Sequence, residues 1–534
     1  MGKVYRLICL IAIIARFSSC DQSCATNGED DLVIAIVGGG LAGISAAIEA
    51  YEAGATVFLF EKERNLGGNS AKATSGINGA DTYVQRSKGI DDSSELFNGD
   101  ILKSGGGRSL PILTKVLSEE SADAVEWLMG PKFNLSLTAI SHCGGHSLPR
   151  THRIPPLPDG RPVPVGFSTI KAVKSYLMTR SERIHVLTET KVTSLITGKN
   201  GNIEALIYKK SSEEAQDKEN YMKVGAVVLT TGGYAYDRSP SSLLNKYAPE
   251  KVHLATTSGP QATGDGIKLV EGLGAKLVDM DQIQVHPTSL VDPNDPTNLT
   301  KFLGPETMRG EGGILVNKDG RRFVNELETR AKVTAAIFEH GSSYSSPSEE
   351  LKEGGPVPTV AYLIMNSKVA EKFGIGMLGF YEKKGLVKRF VNGHEAAVYI
   401  GSEPEALEET FSLYSKVASN EVADEFGKRT FPVEKFSSDE EMFVAIVTPA
   451  IHYTMGGILI NEHGQVIGSD GDVFGGLYAA GEVSGGVHGS NRLAGNSLLE
   501  CVVMGRICGR EAADEVVGRC VSGDSFEGQI AQEL

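Results

Sequence analysis

The stretch from Asp31 to Glu61 restricts the fold more than any other part of the chain. Asp31 to Val37 (DLVIAIV) is a short, β-branched apolar run, the pattern of a strand buried on both faces of a parallel sheet. It ends in Gly38-Gly39-Gly40-Leu41-Ala42-Gly43, and Leu41 to Glu52 continues with the Ala-rich character of a helix. Thr56 to Phe60 (TVFLF) is a second buried strand, ending at Glu61. Strand, glycine turn, helix and strand in this order form a βαβ unit, and such units build a doubly wound α/β domain. The glycines alone say little. The chain holds 63 of them in 534 residues, a frequency at which about one G-x-G-x-x-G match arises by chance in a chain of this length. The context is informative: a strand before, a helix after, and an acid at the end of the next strand. Such a turn brings backbone N–H groups and a helix N-terminus up to a pyrophosphate, while Glu61 can accept from ribose hydroxyls. Gly38, Gly40, Ala42, Gly43 and Glu61 are therefore candidate dinucleotide contacts.

Further loops favour FAD over a nicotinamide cofactor. Gly67-Gly68-Asn69-Ser70 and Ser75-Gly76-Ile77-Asn78 follow the strand that ends at Glu61. The run Val224 to Thr231 (VGAVVLTT) is another buried strand, ending at Gly232-Gly233, and Thr263-Gly264-Asp265-Gly266 precedes a helix. Leu477 to Glu482 (LYAAGE) closes a strand, and Arg492-Leu493-Ala494-Gly495-Asn496-Ser497 opens a helix that continues with Leu498. That helix can aim its N-terminal dipole at a reduced, anionic flavin ring. A mobile nicotinamide does not need so many contact loops. Asn69, Ser70, Ser75, Gly76, Gly232, Asp265, Glu482, Arg492, Ser497 and Leu498 are the candidate FAD contacts from these loops.

The organisation follows. A dinucleotide-binding domain spans 32–280 and resumes over 452–516, and it is interrupted at 281–451 by a smaller α+β clamp or capping domain. The interruption shows longer loops, an acidic, Ser-rich insert at 342–356 and helices such as 404–426. Strands are expected over 184–210 and 222–230 around a polar hairpin, and an irregular, Pro-rich crossing over 148–166. Residues 1–20 carry Lys3 and Arg6 before an apolar stretch, Leu7 to Ala15, and small residues at Ser18 and Ser19. They read as a targeting segment, a cleaved secretory signal (secretory pathway or endoplasmic reticulum lumen) or a mitochondrial presequence, with an uncleaved anchor or no targeting role as the remaining alternatives. The Asn-x-Ser/Thr sites at Asn134 and Asn298 are compatible with secretion. Residues 517–534 read as a C-terminal tail. Nothing after the first segment reaches 18 apolar residues, so the body is not expected to span a membrane. The net charge of −15 argues against nucleic acid as a partner. None of the seven cysteines forms Cys-x-x-Cys or Cys-x-x-Cys-His, so neither a metal site nor attached haem is expected.

Several longer stretches carry a resemblance: EKERNLGGNSAKATSGING, QVHPT, MRGEGGILVNKDGRRFVNELETR, HYTMGGI and GGVHGSNRLAGNSLLE. On these, roughly residues 32–516 resemble the flavoprotein subunits of fumarate reductases and succinate dehydrogenases, and most closely the soluble fumarate reductases. The chemistry can be argued independently. Reducing a butenedioate requires a hold on two carboxylates, a hydride donor on one face and a proton donor on the other. Carboxylates call for arginine forks and histidine donors, and His286, Arg330, His452 and Arg492 are the candidates. The resemblance implies that His286, His452 and Arg492 bind the carboxylates and that Arg330 is the proton donor. It also implies that Glu306 touches substrate and, with Arg309, returns the proton to Arg330. Arginine does not ordinarily deprotonate in proteins, so such an acid needs immediate reprotonation, which that pair would supply. His146, Arg150 and His152 sit in another family-like stretch and read as structural or inter-domain.

Two departures carry weight. The membrane-bound relatives attach FAD to a histidine in the loop matching 61–80, where this sequence has none. Noncovalent FAD and fumarate reduction are the implication. Pro305 stands before Glu306 where some relatives carry Thr. Without haem, electrons are expected from a reduced flavin, a quinol or a redox protein. The alternatives are a related FAD enzyme (L-aspartate oxidase, urocanate reductase or a 3-ketosteroid dehydrogenase) or the flavoprotein subunit of a membrane succinate dehydrogenase-type complex.

Overall fold

The structure, a computed structural model, describes residues 33–158, 161, 163–211, 218–345 and 356–522. The targeting segment expected at 1–20 lies outside these residues, as do most of the 342–356 insert, the tip of the polar hairpin and the end of the tail.

The chain opens as its pattern requires, with β1 (Val33–Val37), α1 (Leu41–Glu52) and β2 (Thr56–Phe60). All five residues of β1 are buried, and so is α1 from Leu41 to Ala50. The expected strand region then divides. Residues Ile184–Leu187 (β3) extend the parallel sheet beside β2, whereas Thr190–Thr197, Ile203–Lys210 and Asn220–Lys223 form a separate antiparallel sheet. The parallel sheet resumes with β4 (Ala226–Leu229) on the other side of β1, and α2 (Asp265–Glu271) follows its glycine turn. The expected irregular crossing at 148–166 contains a short strand, Thr151–Arg153, and starts a helix, Val165–Met178, behind Pro164.

The chain leaves this domain through β5 (Ile283–Leu290), which pairs with β6 (Phe302–Leu303). It continues through β7 (Ile314–Val316), α3 (Arg330–His340), β8 (Thr359–Asn366) and α4 (Pro404–Ala418). It returns along β9 (Met442–Thr454), the thirteen-residue centre of a second sheet ordered β6-β5-β9-β8-β7. The helix expected over 404–426 stops at Ala418, because Asn420 turns to a left-handed backbone (φ 61°).

The last part completes the first sheet. β10 (Gln465–Ile467) pairs antiparallel with β11 (Val473–Ala479), and β11 runs parallel to β4. The order is β10-β11-β4-β1-β2-β3, a doubly wound sheet. It is covered by α5 (Asn496–Ser522), which packs on α1, β4 and β11. α5 continues past residue 516 into the segment expected to be a tail. Two hydrophobic cores result: one under α1 and α5, holding Ile36, Leu59, Val228, Ile283, Ile451 and Val502, the other around Leu290, Leu363, Phe411 and Val447. They part within β5 and β9, the two strands that cross between the domains. Among the described residues no helix is long and apolar enough to cross a membrane.

Candidate active site

A cavity of about 740 Å³ runs from the β1–α1 turn to the junction of the two sheets. At its first end the turn presents Gly38, Gly39, Gly40, Leu41 and Ala42. The turn closes because nothing larger than hydrogen fits at Gly43: a Cβ there would lie 1.9 Å from the Gly38 carbonyl oxygen. Gly43 accordingly packs the helix onto the turn and does not line the cavity. Glu61 does line it. Its Oε2 accepts from Gly39 N–H at 2.8 Å and its Oε1 from Glu63 N–H at 2.9 Å, while burial pushes the carboxyl up. Asp265, at the start of α2, pairs with Lys62 at 2.6 Å and Lys191 at 3.1 Å. Burial raises its carboxyl, and the two ammonium groups more than reverse that, leaving it below its usual range.

Farther along, Asn69 Oδ1 accepts from Gly259 N–H (2.9 Å) and Gln261 (3.0 Å), and Leu41 N–H donates weakly to Ser70 Oγ (3.4 Å). Ser75, Gly76 and Gly232 line the same wall. Glu482 accepts from both Thr454 N–H (3.0 Å) and its hydroxyl (3.2 Å), and burial pushes its carboxyl to about 7. Gly495, Ser497 and Leu498 bring the start of α5 to the cavity. Asn78 anchors that start, donating to Ala494 carbonyl (2.8 Å) and Asn496 Oδ1 (2.6 Å). His146 hydrogen-bonds the Ala494 carbonyl at 3.0 Å, and Arg150, buried completely, pairs with Asp92 and Asp100 behind it. His152 meets Thr82 Oγ1 at 2.8 Å. None of these last three basic residues lines the cavity. Two helix N-termini, a ribose-reaching carboxylate and loops from five separate stretches fit one long dinucleotide.

The other end is strongly basic. His286 projects from β5 and His452 from β9, and their ring centroids are 5.7 Å apart. Thr288 N–H donates to His286 Nδ1 (3.3 Å), so Nε2 carries the proton. Thr257 Oγ1 lies 2.7 Å from His452 Nδ1. Burial, reinforced by Arg330 and Arg492, holds both imidazoles well below their usual range. They are neutral donors near pH 7 and unsuited to be the acid. Arg330 opens α3, capped by Thr329. Its Nε and Nη2 donate to Glu306 Oε2 at 3.2 and 2.7 Å, and its Nη1 donates to Gln284 Oε1 at 2.9 Å. Burial pushes Glu306 up, but Arg330 and Arg309 outweigh it and hold the carboxyl at about 2. Arg492 enters from the loop before α5, donating to Leu493 carbonyl at 3.0 Å and, at the long distance of 3.4 Å, to Gln284. Four groups that can grip or protonate a small dianion (His286, His452, Arg492 and Arg330) therefore share one cavity wall with Glu306.

Arg309 does not join them. It is buried behind the wall, donates from Nη1 to the Glu326 carbonyl, and leaves Nε and Nη2 without partners. Its backbone N–H donates to the Glu306 carbonyl at 3.1 Å, but no side-chain hydrogen bond among the described residues joins the guanidinium to the Glu306 carboxylate, which its charge nevertheless reaches. Gln284 was not singled out from the sequence. It stands two residues before His286, so strand alternation puts both on one face, and that signal was available. Tyr453 was also missed: it lies under Arg492, with the guanidinium carbon 4.4 Å from the ring centroid. No local pattern in the sequence announces that contact.

The fold and this cavity define an FAD-binding flavoprotein with an anion site beside the ring pocket. The family model for the FAD binding domain matches residues 33–498. The chain is 39% identical to a fumarate reductase of Schizosaccharomyces pombe, covering 91% of this chain and 90% of that protein. It is 41% identical to fumarate reductase 1 of Saccharomyces cerevisiae, covering 90% and 98%. A solved open conformation of a flavocytochrome c3 fumarate reductase superposes with TM-score 0.73 at 29% identity, over 94% of this chain and 81% of that one. The chain belongs to the FAD-dependent fumarate reductase/succinate dehydrogenase flavoprotein family.

Proposed function

We propose that the protein reduces fumarate to succinate with noncovalently bound FAD. The reading is carried by one arrangement: Arg330, fixed between Glu306 and Gln284, faces the same pocket as His286, His452 and Arg492. The named activities of the two yeast relatives agree with it. When bound, FAD supplies a hydride from its N5 to one alkene carbon. Arg492 and the neutral imidazoles of His286 and His452 donate to the two carboxylates and orient the double bond. Arg330 gives its proton to the other carbon. Glu306, ionised and in direct contact with the Arg330 guanidinium, is the group through which that proton is replaced. Because its carboxyl is held near 2, Glu306 passes a proton without storing it. The charges of Arg330 and, behind it, Arg309 keep it ionised. Electrons arrive from a reduced flavin, a quinol or a redox protein.

The test is anaerobic oxidation of reduced methyl viologen by the FAD-loaded protein, with fumarate compared with urocanate and other unsaturated acids. Fumarate-dependent turnover is expected. Turnover with urocanate but not fumarate would overturn the substrate. Arg330→Ala is expected to retain FAD and lose about 10²–10⁴ in rate, and wild-type turnover in that variant would remove Arg330 as the acid.

A further inference from the structure

Behind the substrate-facing side of Arg492 lies a buried polar group that the reaction above does not use. Glu500, on the first turns of α5, is 1% exposed. Its Oε2 accepts from the Tyr453 hydroxyl at 2.7 Å and lies 2.9 Å from His488 Nε2. Tyr453 comes from β9, next to His452, and His488 from the glycine loop before Arg492, so the three residues tie strand, loop and helix together at one point. All three are nearly closed to solvent. Burial and the adjacent Glu500 carboxylate keep the Tyr453 hydroxyl protonated far above its usual range, so it remains a donor.

Arg492 needs such support. No carboxylate among the described residues forms an ion pair with it, and its Nε has no partner. Its firm contacts within the chain are one hydrogen bond to the neighbouring Leu493 carbonyl (3.0 Å) and the face of the Tyr453 ring at 4.4 Å. A buried guanidinium with no carboxylate in contact, only the farther charges of Glu482 and Glu500, is costly to desolvate, and an aromatic face offsets part of that cost while leaving the N–H edge free. A carboxylate partner would compensate the charge better, but it would occupy the fork that a substrate carboxylate must take.

We propose that Tyr453, held by Glu500 and His488, is the positioning residue for Arg492, fixing the guanidinium flat on its ring with the fork turned to the substrate. This rests on the assignment of fumarate as substrate. Glu500 acts here as a fixed acceptor for the tyrosine hydroxyl. In this proposal Arg492 acts chiefly by holding a carboxylate alike in the ground and transition states, so its misplacement is expected to raise KM by more than it lowers kcat.

The experiment uses the FAD-loaded full chain, with rates expressed per bound flavin. Tyr453→Leu removes the ring and is expected to raise the KM for fumarate tenfold or more, with kcat within threefold of wild type. Tyr453→Phe keeps the ring and is expected to stay within threefold in KM. Glu500→Gln keeps an acceptor for the hydroxyl and is expected to behave like wild type, whereas Glu500→Ala removes the same hydrogen bond as Tyr453→Phe and is expected to match that variant in KM. A weaker succinate perturbation of the flavin spectrum must accompany the raised KM. The proposal is overturned if Tyr453→Leu leaves KM unchanged, if Phe and Leu behave alike, or if kcat falls as far as KM rises. Absence of fumarate turnover in the wild type would instead overturn the substrate assignment, and succinate binding to the flavin site would still test Tyr453. If Glu500→Ala does not fold, the Tyr453 pair decides.

Discussion

At the scale of single residues, the active end is organised by a shared acceptor. Gln284 Oε1 faces Arg330 and Arg492 while its amide donates to the Arg492 carbonyl (3.0 Å) and Asn491 (2.8 Å). Two guanidinium groups approach one another only with such an acceptor between them. Gln284→Leu, similar in size, is expected to lower kcat about tenfold to a hundredfold, the loss of a hydrogen bond to a charged donor, with FAD content unchanged. Stopped-flow reoxidation of the reduced flavin by fumarate measures it, and an unaltered rate would show that Arg330 needs no second anchor. The arginines and histidines of this site were legible because their chemistry is specific and their motifs are long. Gln284 was legible only as a residue on the same strand face as His286, since an amide side chain carries no chemistry specific enough to single it out. Arg309, expected to act with Glu306 in returning the proton, turns its guanidinium to the Glu326 carbonyl, because order along a chain does not fix which way a buried side chain turns.

At the scale of elements, local pattern decided well wherever one short segment had to satisfy both strand or helix periodicity and glycine geometry. β1, α1 and β2 stand where the apolar runs and the glycines put them. The helix over 404–426 was drawn too long, because the polar residues after Ala418 are compatible with a helix and only the left-handed Asn420 ends it. α5 was drawn too short for the converse reason. Its start is the element with the tightest demand. Gly495 precedes it at φ 87°, and a Cβ there would come 2.3 Å from the Asn78 side chain that anchors the loop. Gly495→Ala must displace Asn78 and with it the Ala494 carbonyl and the helix N-terminus. The expected outcome is protein purified with most of its FAD missing, read from the ratio of absorbance at 450 and 280 nm, roughly the ratio of flavin to protein. Full flavin occupancy would show that the start of α5 adapts without cost.

At the scale of the whole molecule, acid stability follows from imidazoles buried in neutral form. His146 and His152 are pushed down to about 4 by burial, and His286 and His452 lie well below their usual range. An unfolded chain protonates them near 6.5, so below that pH the unfolded state binds more protons than the folded one. Stability is therefore complete above about 6.5 and declines as pH falls toward 4, by up to about 1.4 kcal/mol per pH unit for each histidine. Glu306 runs separately: its folded value near 2 gives a contribution present above the ordinary carboxylate range and lost only as pH falls through it. Thermal unfolding of the FAD-loaded protein is expected to show Tm dropping steadily from pH 7 to pH 5, and a flat Tm would mean that these imidazoles are not held neutral. The interruption of one domain by another was visible in the sequence as a change of loop length and composition. The place where the cores part was not, because β5 and β9 look uniform along their lengths. Those two strands are antiparallel neighbours, with His286 opposite Ala450, so the whole intervening segment leaves and rejoins the flavin-binding half through a single ladder, its two ends about 5 Å apart. Topologically the capping part is a cassette clipped into one hairpin. Its exchange moves Arg330 and Glu306 together and leaves Arg492 and the FAD loops in place, and the Arg330–Gln284 hydrogen bond is the contact that an exchanged part must rebuild across the seam.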